Sequence, residues 1–287
     1  MSVGPDLERK LVCLDIDGTL IGSSRVVPAS AVEACKEARR RGHALYICSG
    51  RNMPEVMACR EIVEIGFDGI ISSGGARVEI NGKAIFSEEL SAEIAKKVYQ
   101  YLDGLGCGIA LERKDAILSN RRNVKKWQSI LDAASDEERE LFSGLLETKL
   151  KNPLPEIPEE RHYENVNKIV FNGGGPGCLE GLRRAFSDDC EIFENSIPMV
   201  GNEGGEIGPK GIHKGYALGM VAQFHGIAPA DTIAFGDGDN DSPMIAAAGV
   251  GVAMGNGSES LKAMADMVTA AVEDDGIFKG FKKLGLI

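Results

Sequence analysis

The sequence predicts an α/β protein, in which a doubly wound, mainly parallel core sheet carries a second, α+β domain as an insert. Three observations predict it. Short apolar runs stop abruptly at polar residues, as Leu11-Val-Cys-Leu14 does at Asp15 and Thr232-Ile-Ala-Phe235 does before Gly236-Asp237. These runs alternate with helical patterns near both ends of the chain, the rhythm of parallel strands joined by crossover helices. Between them, over residues 81–190, the rhythm changes to hairpin and mixed strand–helix signals. The expected core is therefore discontinuous, 1–80 and 191–287.

The elements follow in order. Leu11 to Leu14 is a buried strand, and a helix from about Ser30 to Arg41 starts behind Pro28, where a missing amide hydrogen is tolerated, and stops at Gly42. Ala44 to Cys48 is the second strand, Pro54 to Ile65 a helix, and Gly69 to Ile71 a third strand. Arg77 to Ile80 and Ala84 to Phe86 flank the Asn81-Gly82 turn signal and read as a hairpin. In the insert, Ser91 caps a helix reaching Leu102. Cys107 to Leu111, Ala116 to Leu118 and Asn167 to Phe171 read as strands, and Asp136 to Lys151 and Cys178 to Phe186 as helices. The α/β rhythm returns with a helix at Ile212 to Phe224 and a strand at Asp231 to Phe235. A helix at Ser242 to Ala248, a strand at Val250 to Met254, a helix at Ser258 to Met264 and a strand at Met267 to Thr269 complete it.

Composition narrows the function. The 287 residues include 43 Asp and Glu against 32 Lys and Arg, a net charge of −11 that repels nucleic acid and anionic membranes but suits a divalent cation. No apolar run is long enough to span a bilayer, and Met1 to Lys10 does not resemble a signal peptide. Seven cysteines without a close CxxC pair suggest reduced, structural thiols and a cytoplasmic location. Gly173-Gly174-Gly175 lacks the trailing Lys-Ser/Thr of a nucleotide-binding loop.

The chemistry gathers at the predicted strand ends. Asp15-Ile-Asp17-Gly18-Thr19 follows the first strand, where an open α/β sheet places its site. Gly236-Asp237-Gly238-Asp239-Asn240-Asp241 follows a later one. Either segment alone reads as a turn or helix cap. Two acidic clusters at two strand ends are costly without a cation, which favours a site. Asp15, the backbone carbonyl of Asp17 and Asp237 are the expected ligands of magnesium (Mg2+), with Asn240 and Asp241 in support. Ser49 and Gly50, after the second strand, and Arg51 beside them offer a hydroxyl, a close backbone approach and a guanidinium to a phosphate. A lysine, Lys210 or Lys214, supplies a further positive charge.

The ordered set of Asp15-Ile-Asp-Gly-Thr19, Cys48-Ser-Gly-Arg51, Lys210-Gly-Ile-His-Lys-Gly215 and Gly236-Asp-Gly-Asp-Asn-Asp241 resembles the haloacid dehalogenase-like phosphatases, and within them the Cof-type subclass with an inserted α/β cap. That resemblance covers nearly the whole chain. It implies Asp15 as nucleophile, Asp17 as general acid and base, Ser49 and Lys214 on phosphate, Asp237 on magnesium and Asn256 as a pocket residue. The implied activity is hydrolysis of a small phosphorylated metabolite such as a sugar phosphate. Transfer to another alcohol, as in a phosphomutase, or ligand sensing without catalysis are the alternatives. A homo-oligomer is compatible with the sequence. One departure stands out: Gly74 in Ser72-Ser-Gly-Gly-Ala76 occupies a position where related sequences often carry Asn. Tyr99, Tyr101, Trp127, Tyr163 and Phe171 are candidates for leaving-group contact, with core packing the default for such residues.

Overall fold

A computed structural model describes residues 9–23, 25–136, 139, 144, 147–194 and 204–287. The first strand, β1 (Leu11–Leu14), is wholly buried. It is flanked by β2 (Ala44–Cys48) on one side and β12 (Thr232–Gly236) on the other, both parallel to it. The pleat sends Val12 and Leu14 into one apolar cluster and Leu11 and Cys13 into another. That is why its sequence reads as a continuous apolar run rather than an alternation. The first cluster is covered by α1 (Ala29–Arg40) and α10 (Gly276–Lys283), the second by α7 (Lys214–His225), α8 (Ser242–Ala247) and α9 (Glu259–Met264).

The complete core sheet has the order β14-β13-β12-β1-β2-β3-β4-β5. It adds β3 (Gly69–Ser72), the hairpin β4 (Arg77–Ile80) and β5 (Lys83–Ser87), β13 (Val250–Ala253) and β14 (Met267–Val268). Chain order reverses direction at β1, so the loops after β1 and β12 meet at the switch point of the sheet. The segment read as one helix from Pro54 to Ile65 is two, α2 (Met53–Met57) and α3 (Arg60–Ile65), parted by extended backbone at Cys59. Asn52 and Glu55 form a reciprocal capping box on α2.

A second sheet has the order β10-β11-β9-β6-β7-β8. Its strands are β6 (Gly108–Glu112), β7 (Ile117–Ser119), β8 (Asn152–Pro153), β9 (Lys168–Asn172), β10 (Cys190–Glu194) and β11 (Gly204–Pro209). Sheet membership departs from the expected boundaries of 81–190. Residues 83–87 hydrogen-bond into the core sheet through the β4–β5 hairpin, while β10 and β11 pair into the second sheet. One face is apolar: Ile109, Leu111, Ile169, Phe171 and Ile207 pack with residues of α4 (Ala92–Gly104) and α6 (Cys178–Phe186). The intervening positions, Glu112, Lys168, Asn172 and Glu206, lie on the opposite face by the two-residue period. Helix α5 (Arg121–Ala133) went unread, although Val124, Trp127 and Leu131 recur at helical spacing. Half of the Asp136–Lys151 helix lies outside the described residues; of the rest, 136, 139, 144 and 147–150 are helical.

Candidate active site

Register brings the two acidic segments together. Leu14 pairs with Phe235, and the Asp15 N–H donates to the Phe235 carbonyl at 3.1 Å, so Asp15 and Asp237 leave neighbouring strands at the same edge. Gly18 completes the approach. Its φ is +83°, and a Cβ there would stand 2.0 Å from Asp237 Oδ2. No other residue type fits that turn without displacing the acid. Thr19 Oγ1 donates to Asp237 Oδ1 at 3.2 Å, binding the first segment to the fourth rather than only closing its own turn.

Lys214 is fully buried at the first turn of α7. Its Nζ donates to Asp15 Oδ1 at 2.7 Å and to Asp241 Oδ1 at 2.5 Å. Lys210 instead lies 3.3 Å from Glu191, half-exposed, so the structure separates the two lysines. His213 caps α7, its Nδ1 accepting from the Tyr216 N–H. Asp241 is held from its other side by the Asp237 and Gly238 N–H groups, each donating to Oδ2 at 3.0 Å. Burial pushes the Asp15 carboxyl well above its usual range, with Asp241, Asp237 and Asp17 adding to the rise and Lys214 opposing it. Burial and the neighbouring Asp241 push Asp237 up to about 7.

The other phosphate-binding candidates follow β2, the strand beside β1. Ser49 is buried at the end of β2, its Oγ accepting from the Arg51 N–H at 3.1 Å. Arg51 makes a two-pronged pair with Asp17, at 2.8 and 2.7 Å, and Arg25 stands 3.9 Å from the same carboxylate. Burial pushes the Asp17 carboxyl up, yet Arg51 outweighs it and leaves the group below its ordinary value. Asn256 Nδ2 donates to the Gly18 carbonyl at 2.8 Å while its Oδ1 accepts from the Val272 N–H, so it braces the first loop. Asn240 Nδ2 lies beside Gly50, 3.7 Å from where a Cβ would be. Gly74 has φ +68°, a left-handed conformation that Asn also tolerates, so the turn persists without the amide's hydrogen bonds.

The polar face of the second sheet carries buried ionic residues that sequence reasoning missed. Lys168, cross-strand from Glu112, donates to the Gly50 carbonyl and lies 3.2 Å from Glu206 and 3.5 Å from Glu112. Lys149 pairs with Glu55 of α2 at 2.5 Å, both buried. The available signal was a lysine opening the apolar run Lys168-Ile-Val-Phe and an acid closing Gly108-Ile-Ala-Leu-Glu112. Their partners are too distant in sequence to be named from it. The aromatic candidates pack instead: Tyr99, Tyr101, Tyr163 and Phe171 with the apolar face of this sheet, and Trp127 with Ile130, Leu131 and Leu150.

The residues present fit a divalent cation. Carboxylate oxygens of Asp15, Asp237 and Asp241 lie within 4.8 Å of one another, and one ammonium, Lys214, pairs with two of them, Asp15 and Asp241. Hard oxygen donors with excess negative charge suit magnesium-like ions. The Asp17 carboxylate is outside that group, turned to Arg51, which leaves its backbone carbonyl as the only donor it could offer there.

The chain is 28% identical over 296 residues to a putative phosphatase, YkrA, of Bacillus subtilis, covering 98% of this chain and all of that one. It is 28% identical over 279 residues to the 5-amino-6-(5-phospho-D-ribitylamino)uracil phosphatase YwtE of the same organism, covering 93% and 95%. The structure of a haloacid dehalogenase-like hydrolase from B. subtilis superposes with a TM-score of 0.81 at 25% identity, covering 96% of this chain and 99% of that one. Residues 12–281 match the haloacid dehalogenase-like hydrolase family, and the chain is a member of that family.

Proposed function

We propose that this protein is a magnesium-dependent phosphatase of small organic phosphate monoesters, sugar phosphates or related metabolites, working through an aspartyl-phosphate. The observation that carries this reading is the Lys214 ammonium bridging Asp15 and Asp241 beside Asp237 at the carboxyl edge of the core sheet. A simple anion-binding pocket has no need to gather three acids there, two of them buried. Relatives that act on small phosphorylated substrates support the substrate class.

Lys214 engages Oδ1 of Asp15 and leaves Oδ2 to attack phosphorus. The bond from phosphorus to the leaving oxygen breaks, and Asp17 delivers its proton to that oxygen, giving the alcohol and an acyl phosphate on Asp15. Asp17, now a carboxylate, removes a proton from the water that attacks the acyl phosphate, which frees phosphate and restores Asp15. Arg51 holds Asp17 ionised, the form needed for the second step. The first step needs it protonated, so substrate phosphate drawing Arg51 away would prepare the acid. Ser49, the Gly50 backbone and Lys214 would hold the phosphate oxygens. Magnesium, held by Asp15, Asp237 and the Asp17 carbonyl, would offset phosphate charge when bound. The second sheet would act as a substrate-selecting cap.

A panel of phosphometabolites, assayed for phosphate release with and without magnesium and with Asp15→Asn as control, tests this reading. Magnesium-dependent release lost in the variant is expected. Transfer of the phosphoryl group to an added alcohol in place of water would instead make it a phosphotransferase. Binding of phosphorylated compounds with neither release nor an acyl phosphate would make it a sensor.

A further inference from the structure

Two cysteines stand apart from the chemistry above. Cys107 immediately precedes β6, and Cys178 is the first residue of α6. Both are buried, Cys107 completely and Cys178 with 7% exposure, and their thiols are hydrogen-bonded to each other. They meet beneath the triple-glycine segment that nothing in the proposed function uses. A Cβ on Gly174 would stand 2.7 Å from Cys178 Sγ and 2.8 Å from Cys107 Sγ, so both sulfurs face the same bare point of backbone. Gly173, Gly174, Gly175 and Gly177 all have positive φ, between +70° and +93°. At Gly173, Gly175 and Gly177 a Cβ would meet nothing within 4 Å. The loop therefore presses on the sulfurs at one residue, faces open space at the others, and has no side chains there to shield them. Such backbone shifts readily, which both an approaching oxidant and the shorter sulfur–sulfur distance of a disulfide require.

We infer that Cys107 and Cys178 are a redox-active dithiol of the second sheet, converted to a disulfide by hydroperoxides. Cys178 is the attacking sulfur, since it is the more exposed of the two and sits at the N-terminus of a nine-residue helix, which favours a thiolate. Burial, with Cys178 beside it, pushes the Cys107 thiol up to about 12, so Cys107 is not the first sulfur to attack and is left as the partner of the oxidised Cys178. The Cys178 thiolate attacks one peroxide oxygen, the O–O bond breaks, and a sulfenic acid forms with release of water or an alcohol. Cys107 sulfur then attacks the sulfenic sulfur, the S–O bond breaks, and water leaves with the Cys107 proton. Two thiols are oxidised and one hydroperoxide is reduced. The product ties the start of β6 to the start of α6.

Treating the folded protein with hydrogen peroxide, alkylating it after unfolding and mapping peptides by mass tests the pairing. One linked pair of peptides carrying residues 107 and 178, two hydrogens lighter than the thiol forms and reversed by dithiothreitol, is expected. Cys178→Ala should abolish it. If that variant does not fold, Cys107→Ala or the wild-type map alone decides. The proposal is overturned if Cys59, which is partly exposed, oxidises while both residues stay alkylatable. It is equally overturned if Cys178 proceeds to a sulfinic acid without a link, or if either residue pairs with a different cysteine.

Discussion

The two sheets both bury ionic groups, and they leave different imbalances. At the edge of the core sheet a single ammonium, Lys214, faces Asp15 and Asp241, with Asp237 in the same group of oxygens. Under the second sheet, Lys168 and Lys149 stand among Glu112, Glu206 and Glu55. The first group lacks more positive charge than a proton conveniently supplies, and its carboxylates converge on one small volume, the geometry of a cation site. In the second the lysines nearly match the acids and the surplus falls on Glu112. Its Oε2 accepts no hydrogen bond, and burial pushes its carboxyl up to about 7. One cluster is arranged to take up an ion, the other to hold two parts of the chain together.

The largest expected effect breaks the core side of the comparison. Asp15→Asn should lower phosphate release by at least about 10⁴-fold while the protein still folds, because only the attacking oxygen is lost. Unchanged turnover in purified variant would remove Asp15 as nucleophile.

Paired lysine variants sharpen the contrast. Lys214→Met and Lys168→Met each strand buried carboxylates and should each destabilise the protein by about 3–5 kcal/mol in denaturant titration. Only Lys214→Met should also abolish phosphate release; Lys168→Met should change kcat by less than about tenfold, since its ion pairs are with the second sheet and its one bond to the phosphate-binding loop is to the Gly50 carbonyl, not to a reacting group. Equal losses of activity would mean the second sheet takes part in the chemistry.

A smaller effect separates the clusters by cation. Magnesium at about a hundred times its dissociation constant should stabilise the wild type by about 2.7 kcal/mol. Asp237→Asn should remove most of that increment, read as a lost rise in Tm. An undiminished rise would place the cation elsewhere.

The smallest effect concerns protons. Burial pushes the Glu112 carboxyl up to about 7 in the folded chain, against an ordinary value of 4.5. A raised carboxyl contributes stability below the unfolded value and loses it as pH rises through the folded one. Wild type should thus lose stability relative to Glu112→Gln between about pH 4.5 and 7, as paired thermal melts at several pH values would record. A constant difference across that window would mean Glu112 ionises normally.

Much of this was legible in the residue order. Leu11 to Leu14 announced a strand buried on both faces because it has no polar alternation, and Asp15 marked its end. Asp237 after Phe235 repeated the signal. The ionic face of the second sheet was not legible in the same way, because a lysine or glutamate in a short strand reads as a solvent-facing residue until something is known to cover it. Glu55 illustrates the limit. Its capping box with Asn52 has a local spacing, though the sequence reading did not use it, whereas its pairing with Lys149 depends on a distant segment.

By itself the sequence determined the α/β class, the strand ends that carry acids, and the turn signals beside them. These follow from local periods and from turn chemistry, which neighbouring residues settle among themselves. Only the tertiary structure decided that Lys214 bridges Asp15 and Asp241, that Arg51 grips Asp17, and that residues 190–194 and 204–209 pair with the second sheet. Those outcomes depend on strand register and on which buried charge finds which partner, and such choices are made across the fold rather than along the chain.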